Sequence, residues 1–454
     1  MSFTASVRIT DLDDYISPAA ECIIPIKPVK SDQVLPFSQI SPKESTSAKI
    51  TLNDCLACSG CITSAETVLI NQHSIETLNK VLAEPGRTVI FSISPQSRAS
   101  IAARFNLDLT AAFKKLTNFL KLYLKASHVF DAGLATDISL VEQSREFVKR
   151  FQKAKLRQNP CDLLPLLTSE CPGWICYSEK TQASVLPYIS TVRSAQQILG
   201  AAVKRFLPLQ SVYHVCIMPC FDKKLEAARA EFSNDIDLVL STSEISSLIE
   251  EKVSDLNCVE PSPLEDNFLL NMKSEKIIGV EDHLGSGAFL SYTFRYAAKK
   301  LFNIDIHGPL TFKPVGRNAD FQETCLVVDG VKVLRFAYAY GFRNIQNLVR
   351  KINSGTCPYH FVEVMACPSG CLNGGGQIRS VQTGPKYQKE LLGRVAEIYN
   401  QFECHDPESG PLPLQLYDNW IPSAEPGSDA VKDLLHTSYK AMQQPSRSAL
   451  LEKW

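Results

Sequence analysis

Three stretches of the chain set a cysteine next to a proline at the end of an apolar, strand-like run. One is Thr168-Ser169-Glu170-Cys171-Pro172-Gly173-Trp174, after the run 163–167. Another is Met218-Pro219-Cys220-Phe221-Asp222-Lys223-Lys224, closing the run 213–218. The third follows the run 361–365 and reads Cys367-Pro368-Ser369-Gly370-Cys371-Leu372-Asn373, with Gly374, Gly375 and Gly376 behind it. Glycine lets a backbone bend sharply or approach a bulky ligand closely. Ligands gather at the strand ends of α/β folds. A cubane iron–sulfur cluster needs four thiolates, and Cys171, Cys220, Cys367 and Cys371 supply that number. The competing reading of 367–371 is a pair of structural cysteines in a tight turn.

A second group of thiols lies in Asp54-Cys55-Leu56-Ala57-Cys58-Ser59-Gly60-Cys61. Three cysteines at a repeated spacing of three open a bacterial ferredoxin loop, which wraps one cluster. Such a loop continues with Cys-Pro, where this chain has Ala65 and Glu66. Three ligands are present, and a fourth must come from elsewhere. Spacing alone leaves Cys22, within Ala20-Glu21-Cys22-Ile23-Ile24, open as a ligand or as a small apolar residue. Zinc fits this run less well, because no second Cys-x-x-Cys or histidine pair stands at the usual distance and His73 is isolated.

Together these segments resemble the signatures of the iron-only hydrogenases over roughly residues 50–400. They are most similar to the non-hydrogenase relatives of those enzymes, the cytosolic iron–sulfur assembly factors of the nuclear prelamin A recognition factor-like family. The resemblance implies an α/β fold: an iron-only-hydrogenase-like two-lobed body with parallel sheets, a small N-terminal iron–sulfur segment and a C-terminal helical tail. It implies two 4Fe–4S clusters. The first would sit on Cys22, Cys55, Cys58 and Cys61, the family using an N-terminal cysteine as fourth ligand. The second would sit on Cys171, Cys220, Cys367 and Cys371. It further implies a component of the cytosolic iron–sulfur cluster assembly machinery. Such a component bridges an early P-loop NTPase scaffold to a late targeting complex with a WD40-propeller subunit, which delivers clusters to apoproteins. A cytoplasmic location is expected, with the nucleus as a second compartment. Trp454 resembles the aromatic tag by which clients dock on the targeting complex, although Lys453 stands where that tag has an acidic residue. The other reading of Trp454 is an accident of a polar tail.

A hydrogenase, or a related redox enzyme, is the alternative. In hydrogenases a proton-shuttling cysteine precedes the ligand of the first motif, and here that place is Glu170. A Met and a Glu would follow the glycine turn, and here the residues are Phe289, Leu290 and Ser291. Lys223, Met218 and Met365 are retained. The electron-delivering domains are reduced to one incomplete loop. An assembly factor without hydrogenase activity and without catalytic residues is therefore expected. A structural interaction module, whose clusters only hold the fold, is the remaining alternative. No Walker A pattern is present, so nucleotide hydrolysis falls to partners.

The elements that must position these thiols alternate along the chain. Strands are expected at 89–94, 128–130, 163–167, 213–218 and 237–240. Helices are expected at 65–84, 99–105, 111–124, through 146–148, and at 195–206, 244–251, 289–302, 344–352 and 385–400. This order argues for parallel βαβ units. Gly285-Ser286-Gly287 opens a helix and is too short for a P-loop. Asp329-Gly330 between two apolar runs predicts a hairpin turn. Residues 254–276 read as a surface insertion, and 405–428, with five prolines, as irregular. The expected divisions are an N-terminal cluster segment with linker at 1–85, the two-lobed body at 86–400 and the tail at 401–454.

Fifteen cysteines in a 454-residue chain whose first 15 residues lack an apolar signal core favour metal ligation over disulfides. A net charge of -1 implies no nucleic-acid or anionic-membrane surface. No apolar run is long enough to span a bilayer. Core packing is the expectation for Cys161, Cys176, Cys216, Cys258, Cys325, Cys357 and Cys404. Cys176 and Cys216 are kept as alternate ligands.

Overall fold

Residues 88–93, Thr-Val-Ile-Phe-Ser-Ile, are buried on both faces of a sheet. Val89, Phe91 and Ile93 enter one core and Ile90 enters another. Burial on both sides turns a strand into a continuous apolar run, which marks a parallel sheet covered by helices. The computed structural model describes residues 64–156, 164–232, 234–264, 277–421 and 428–442. Its strands are β1 (Thr88–Ile93), β2 (His128–Asp131), β3 (Leu166–Thr168), β4 (Val212–Met218), β5 (Leu238–Ser241), β6 (Ile278–Gly279), β7 (Lys313–Val315), β8 (Asn318–Val328), β9 (Val331–Tyr340), β10 (Phe361–Met365) and β11 (Glu403–Cys404).

The first sheet has the order β2-β1-β4-β5 and is parallel throughout. The second has the order β3-β10-β9-β8-β7. It is parallel from β3 through β10 to β9, then antiparallel out to β7. The expected two α/β lobes with parallel sheets are present, and the hairpin foreseen at Asp329-Gly330 widens the second. Both turn residues adopt left-handed backbone, with φ of 50° and 77°, and Val328 pairs with Val331 across them. That geometry matches the right-handed twist of the flanking strands. The short strands β6 and β11 pair separately.

Three expectations change. The helix expected over 65–84 is two helices, Ser64–Gln72 and Ile75–Ala83. Ser74 caps the second, accepting from the Thr77 amide at 3.3 Å. His73 turns into the core, where its Nδ1 accepts from the Val239 amide at 2.9 Å. The apolar periodicity runs through the break and hides it. The stretch expected as irregular at 405–428 contains helical turns at Pro411–Leu414 and Gln415–Trp420. Leu412 and Leu416 there are buried, and Trp420 stacks on Phe206 with ring centroids 4.6 Å apart. Of the insertion expected at 254–276, residues 265–276 lie outside the described residues. Residues 257–259 are fastened to the body by Lys115, whose Nζ donates to the carbonyls of Asn257 and Val259 at 3.0 and 2.6 Å.

Strands from both sheets end at the same place. Cys171 follows β3, Cys220 follows β4 and Cys367 follows β10. The ends of β1 and β2, at Ser94 and Ala132, border the same cavity. No described helix is long and apolar enough to cross a membrane.

Candidate metal centre

Cys171 occupies the N-cap position of helix Pro172–Thr181, with Pro172 at the first helical position. Proline there gives up an amide that would have no helical partner, so the helix starts cleanly after the thiol. The Cys171 amide donates to Ser169 Oγ at 3.0 Å, and that hydroxyl donates to the Val364 carbonyl on β10 at 2.5 Å. The Cys171 sulfur accepts from the Ala366 amide at 3.4 Å.

Cys367 and Cys371 bracket a turn with positive φ at Ser369 (58°) and Gly370 (72°). A Cβ on Gly370 would lie 2.4 Å from Ser286 Oγ and 2.8 Å from the Tyr340 ring. Ser286 Oγ accepts from the Cys371 amide at 3.2 Å. The glycine turn 285–287 is thus a cradle for the second thiol loop, not a phosphate loop. The glycines after Cys371 let that loop press on Cys220. A Cβ on Gly374 would meet the Pro219 carbonyl oxygen at 2.3 Å, and one on Gly376 would meet the Cys220 Cα at 3.1 Å. Arg379 secures the loop, donating to Asn373 Oδ1 at 2.8 Å and to the Gly374 carbonyl at 3.4 Å.

All four thiols line one cavity of about 690 Å³, with Met218, Met365 and Lys223 also in its wall. Among the described residues, no three His, Cys, Asp or Glu side chains converge on a single metal-ion position. Four sulfurs spread around a cavity fit a body with an iron at each of four corners. The electrostatics fit too. Burial, with Asp222 adding to it, pushes the Cys171 thiol up to about 11. Burial and Cys171 push Cys371 up to about 12. Cys220 and Cys367 lie well above the ordinary thiol value, through burial first and neighbouring acidic groups and thiols next. Four thiolates this close repel one another, and a cationic iron core reverses that balance.

The other expected sites divide. Cys22, Cys55, Cys58, Cys61, Cys161 and Trp454 lie outside the described residues. Cys216 is buried in β4, its sulfur 3.7 Å from His214 Nε2. Cys176 lines a smaller cavity behind Cys171, and neither of these two alternates borders the four-thiol cavity. Core packing fails for Cys258, Cys325 and Cys404, which are exposed. Cys325 sits on β8 past the stretch that pairs with β7, and Cys404 on the two-residue strand β11.

Glu170 is tied down on two sides. Its carboxylate accepts from the Ala195 amide at 3.0 Å, at the start of helix Ala195–Phe206. It also faces Lys223 Nζ at 3.4 Å, while Glu226 holds the same ammonium at 3.0 Å. Burial opposes the Lys223 charge, but Glu226 and Glu170 outweigh it and keep its pKa above the ordinary value. Burial raises the pKa of Glu170 in turn.

Residues 87–375 match the family described as "Iron only hydrogenase large subunit, C-terminal domain". The chain is 46% identical to a mouse protein named cytosolic iron-sulfur assembly component 3, over 100% of this chain and 99% of the relative. It is 44% identical to Protein NAR1 of Arabidopsis thaliana, again over 100% and 99%. The chain belongs to the cytosolic iron–sulfur assembly component 3 family. The fold of this family is that of the iron-only hydrogenases. The FeFe-hydrogenase HydA1 from Chlamydomonas reinhardtii superposes with a TM-score of 0.69, at 24% identity, over 81% of this chain and 98% of that one.

Within this assembly-component body, two buried groups, Glu363 and Ser286, carry little signal in the sequence. The run 361–365 reads as apolar, yet Glu363 lies at its centre, fully buried. The signal was the acid itself, placed in the middle of a strand whose other residues are all hydrophobic. Ser286 reads in sequence only as part of a helix start, and the fold brings it to Cys371.

Proposed function

We propose that this chain works in the cytosolic iron–sulfur cluster assembly machinery and holds two 4Fe–4S clusters. The inner one takes Cys171, Cys220, Cys367 and Cys371, and the outer one takes Cys22, Cys55, Cys58 and Cys61. The observation that carries the reading is the meeting of four thiols, Cys171 buried and the other three half-buried, from both sheets at one cavity. When bound, each cluster supplies a cubane of iron and sulfide that can change its charge by one electron or be handed on. The chain's own residues do the rest. Cys220 comes from the first sheet and the other three ligands from the second, so ligation ties the lobes together. Ser286, Arg379 and the Ala366 amide fix the ligand loops.

The chain would bridge an early P-loop NTPase scaffold to a late targeting complex with a WD40-propeller subunit, docking there through Trp454. It would act in the cytoplasm and the nucleus. Names of relatives at 44–46% identity support the assembly role. The state of Glu170 supports a protein that is not a hydrogenase: the group at the proton-shuttling position is bound to a helix start and to Lys223. Incubation with an apo acceptor under nitrogen tests the role. Iron–sulfur absorption should move to the acceptor, and no hydrogen should evolve from reduced viologen dye. Hydrogen evolution, with infrared bands of carbon monoxide and cyanide, would replace the assembly reading with the enzyme. Truncation at residue 453 should abolish capture of the targeting complex while leaving iron content unchanged.

A further inference from the structure

Glu363 sits on β10, four residues before Cys367, and is fully buried. Its Oε2 accepts from the Leu290 amide at 2.8 Å and its Oε1 from the Tyr340 hydroxyl at 2.5 Å. The groups acting on it come from every side. Tyr340 stands on the neighbouring strand β9, Asp282 lies before helix Phe289–Phe302, and Glu170 lies beyond β3. Tyr338, also on β9 and its register partner, packs its ring against Tyr340 with centroids 5.5 Å apart. None of these is a cation, and Lys223 is turned to Glu170 and Glu226. Asp282 holds the Leu284 and Gly287 amides and accepts from the Tyr399 hydroxyl at 3.2 Å. Two buried carboxyls that oppose each other, with no cation among the described groups acting on Glu363, are the arrangement in which one keeps a proton.

This acid pair has a door to solvent. A surface cavity of about 830 Å³ is lined by Asp282 and Ser291, with His283 beside them and Arg295, which is paired with Glu281 at 2.9 Å. Ser291 is the residue after Leu290, whose amide holds Glu363, and its hydroxyl pairs with the Tyr338 hydroxyl at 3.2 Å. On the other side, the Tyr340 ring abuts Gly370, next to Cys371. The network therefore spans from the surface to the second thiol loop.

We propose that Glu363 is a proton-binding site coupled to the inner cluster, taking up one proton from solvent through the Asp282–Ser291 cavity when that cluster takes up one electron. The inference rests on the cluster reading given above. An external reductant, such as dithionite, supplies the electron. Solvent supplies the proton, which forms one O–H bond on a Glu363 oxygen. No protein bond breaks, and the net charge of the buried region stays constant. That removes the cost of adding an uncompensated negative charge to a low-dielectric interior. Burial, Asp282 and Glu170 place the titration of Glu363 at about 8, near working pH, against the pull of Tyr340 and Leu290.

The test is a redox titration of the anaerobic full chain at several pH values, read by electron paramagnetic resonance. The inner cluster is identified by its absence in Cys367→Ser. Its midpoint potential should fall by about 59 mV per pH unit near the Glu363 titration, the one-electron equivalent of a tenfold change. Glu363→Gln keeps the shape, can still accept from the Leu290 amide through its oxygen while its NH2 donates to the Tyr340 oxygen, but takes no proton, and should make the potential flat there. A protonated-carboxyl band should grow in the infrared difference spectrum on reduction of the unmodified chain and be missing in Glu363→Gln. Equal slopes in both proteins overturn the proposal. Should Glu363→Gln not accumulate, Tyr340→Phe carries the test, because losing its hydroxyl should move the sloping region to higher pH. An unmoved region overturns the coupling. Iron is measured on every sample: full iron with no slope defeats the proton site, and no iron defeats the cluster reading on which it rests.

Discussion

The Ala366 amide points at the Cys171 sulfur across 3.4 Å, joining residues 195 positions apart in the chain. The bond links the ends of the neighbouring strands β3 and β10, and amide donors of this kind favour a thiolate. Cys171→Ala should therefore lose the inner cluster and lower the melting temperature, since the lobes lose a tie. Cys176→Ala, on the same helix but off the cavity, should keep full iron. Iron analysis and thermal scans check both, and unchanged iron in Cys171→Ala would remove it from the ligand set.

Gly374 separates close backbone approach from mere flexibility. An added Cβ meets the Pro219 carbonyl oxygen at 2.3 Å and its carbon at 3.0 Å, and backbone cannot swing aside as a side chain can. Gly374→Ala should destabilise by about 1–3 kcal/mol and reduce iron content, as overpacking does elsewhere. Gly393, within helix Pro385–Tyr399, has nothing within 4 Å of the same position. Gly393→Ala should stabilise by roughly 0.5–1 kcal/mol. Urea denaturation of the two variants reads the difference.

Arg193 fastens the C-terminal segment. Its Nε donates to the His436 carbonyl at 3.0 Å, one terminal nitrogen donates to the Asp433 carbonyl at 2.9 Å, and the other meets Asp235 at 3.3 Å. Arg193→Ala frees two carbonyls and leaves Asp235 buried without its partner, a loss of about 3 kcal/mol. Amide exchange over residues 428–442 should accelerate before the sheets open. Uniform exchange across the whole body would show instead that the segment is not held separately.

Acid should weaken the fold through two histidines. Burial, with Lys224 beside it, lowers His73 to about 4, and burial lowers His214 to about 4. The unfolded chain takes up these protons near pH 6.5, so it binds more protons than the folded one between 6.5 and 4. Stability is then present above pH 6.5 and falls as pH drops through that window, on the order of 3 kcal/mol per histidine. His73→Asn, whose side-chain oxygen can accept the Val239 amide, should remove one histidine's share of the slope. Urea midpoints at pH 7 and pH 5 measure it.

Much of the inner site was legible because its ligands carry local marks. Cys171, Cys220 and Cys367 each adjoin a proline and end an apolar run, and the hairpin at Asp329-Gly330 followed from turn chemistry alone. Strand neighbours were not legible: β1 pairs with β2 and β4, and β10 with β3 and β9, which are choices made by packing between distant segments. Glu363 was hidden because one acid does not break an apolar pattern, although burial makes it the costliest residue of its strand. The break at His73–Ser74 was hidden because the helical period continues through it. The exposure of Cys325 and Cys404 was not legible, because composition does not reveal which stretches of a strand face solvent.

The central claim is two cubane clusters on eight cysteines, and iron with acid-labile sulfide per chain, on protein purified without oxygen, tests it most directly. The account predicts about eight of each. About four of each would contradict it, and Cys22 would be the first ligand to fall. About ten irons, with infrared bands of diatomic ligands, would contradict it from the other side and return the chain to the hydrogenases.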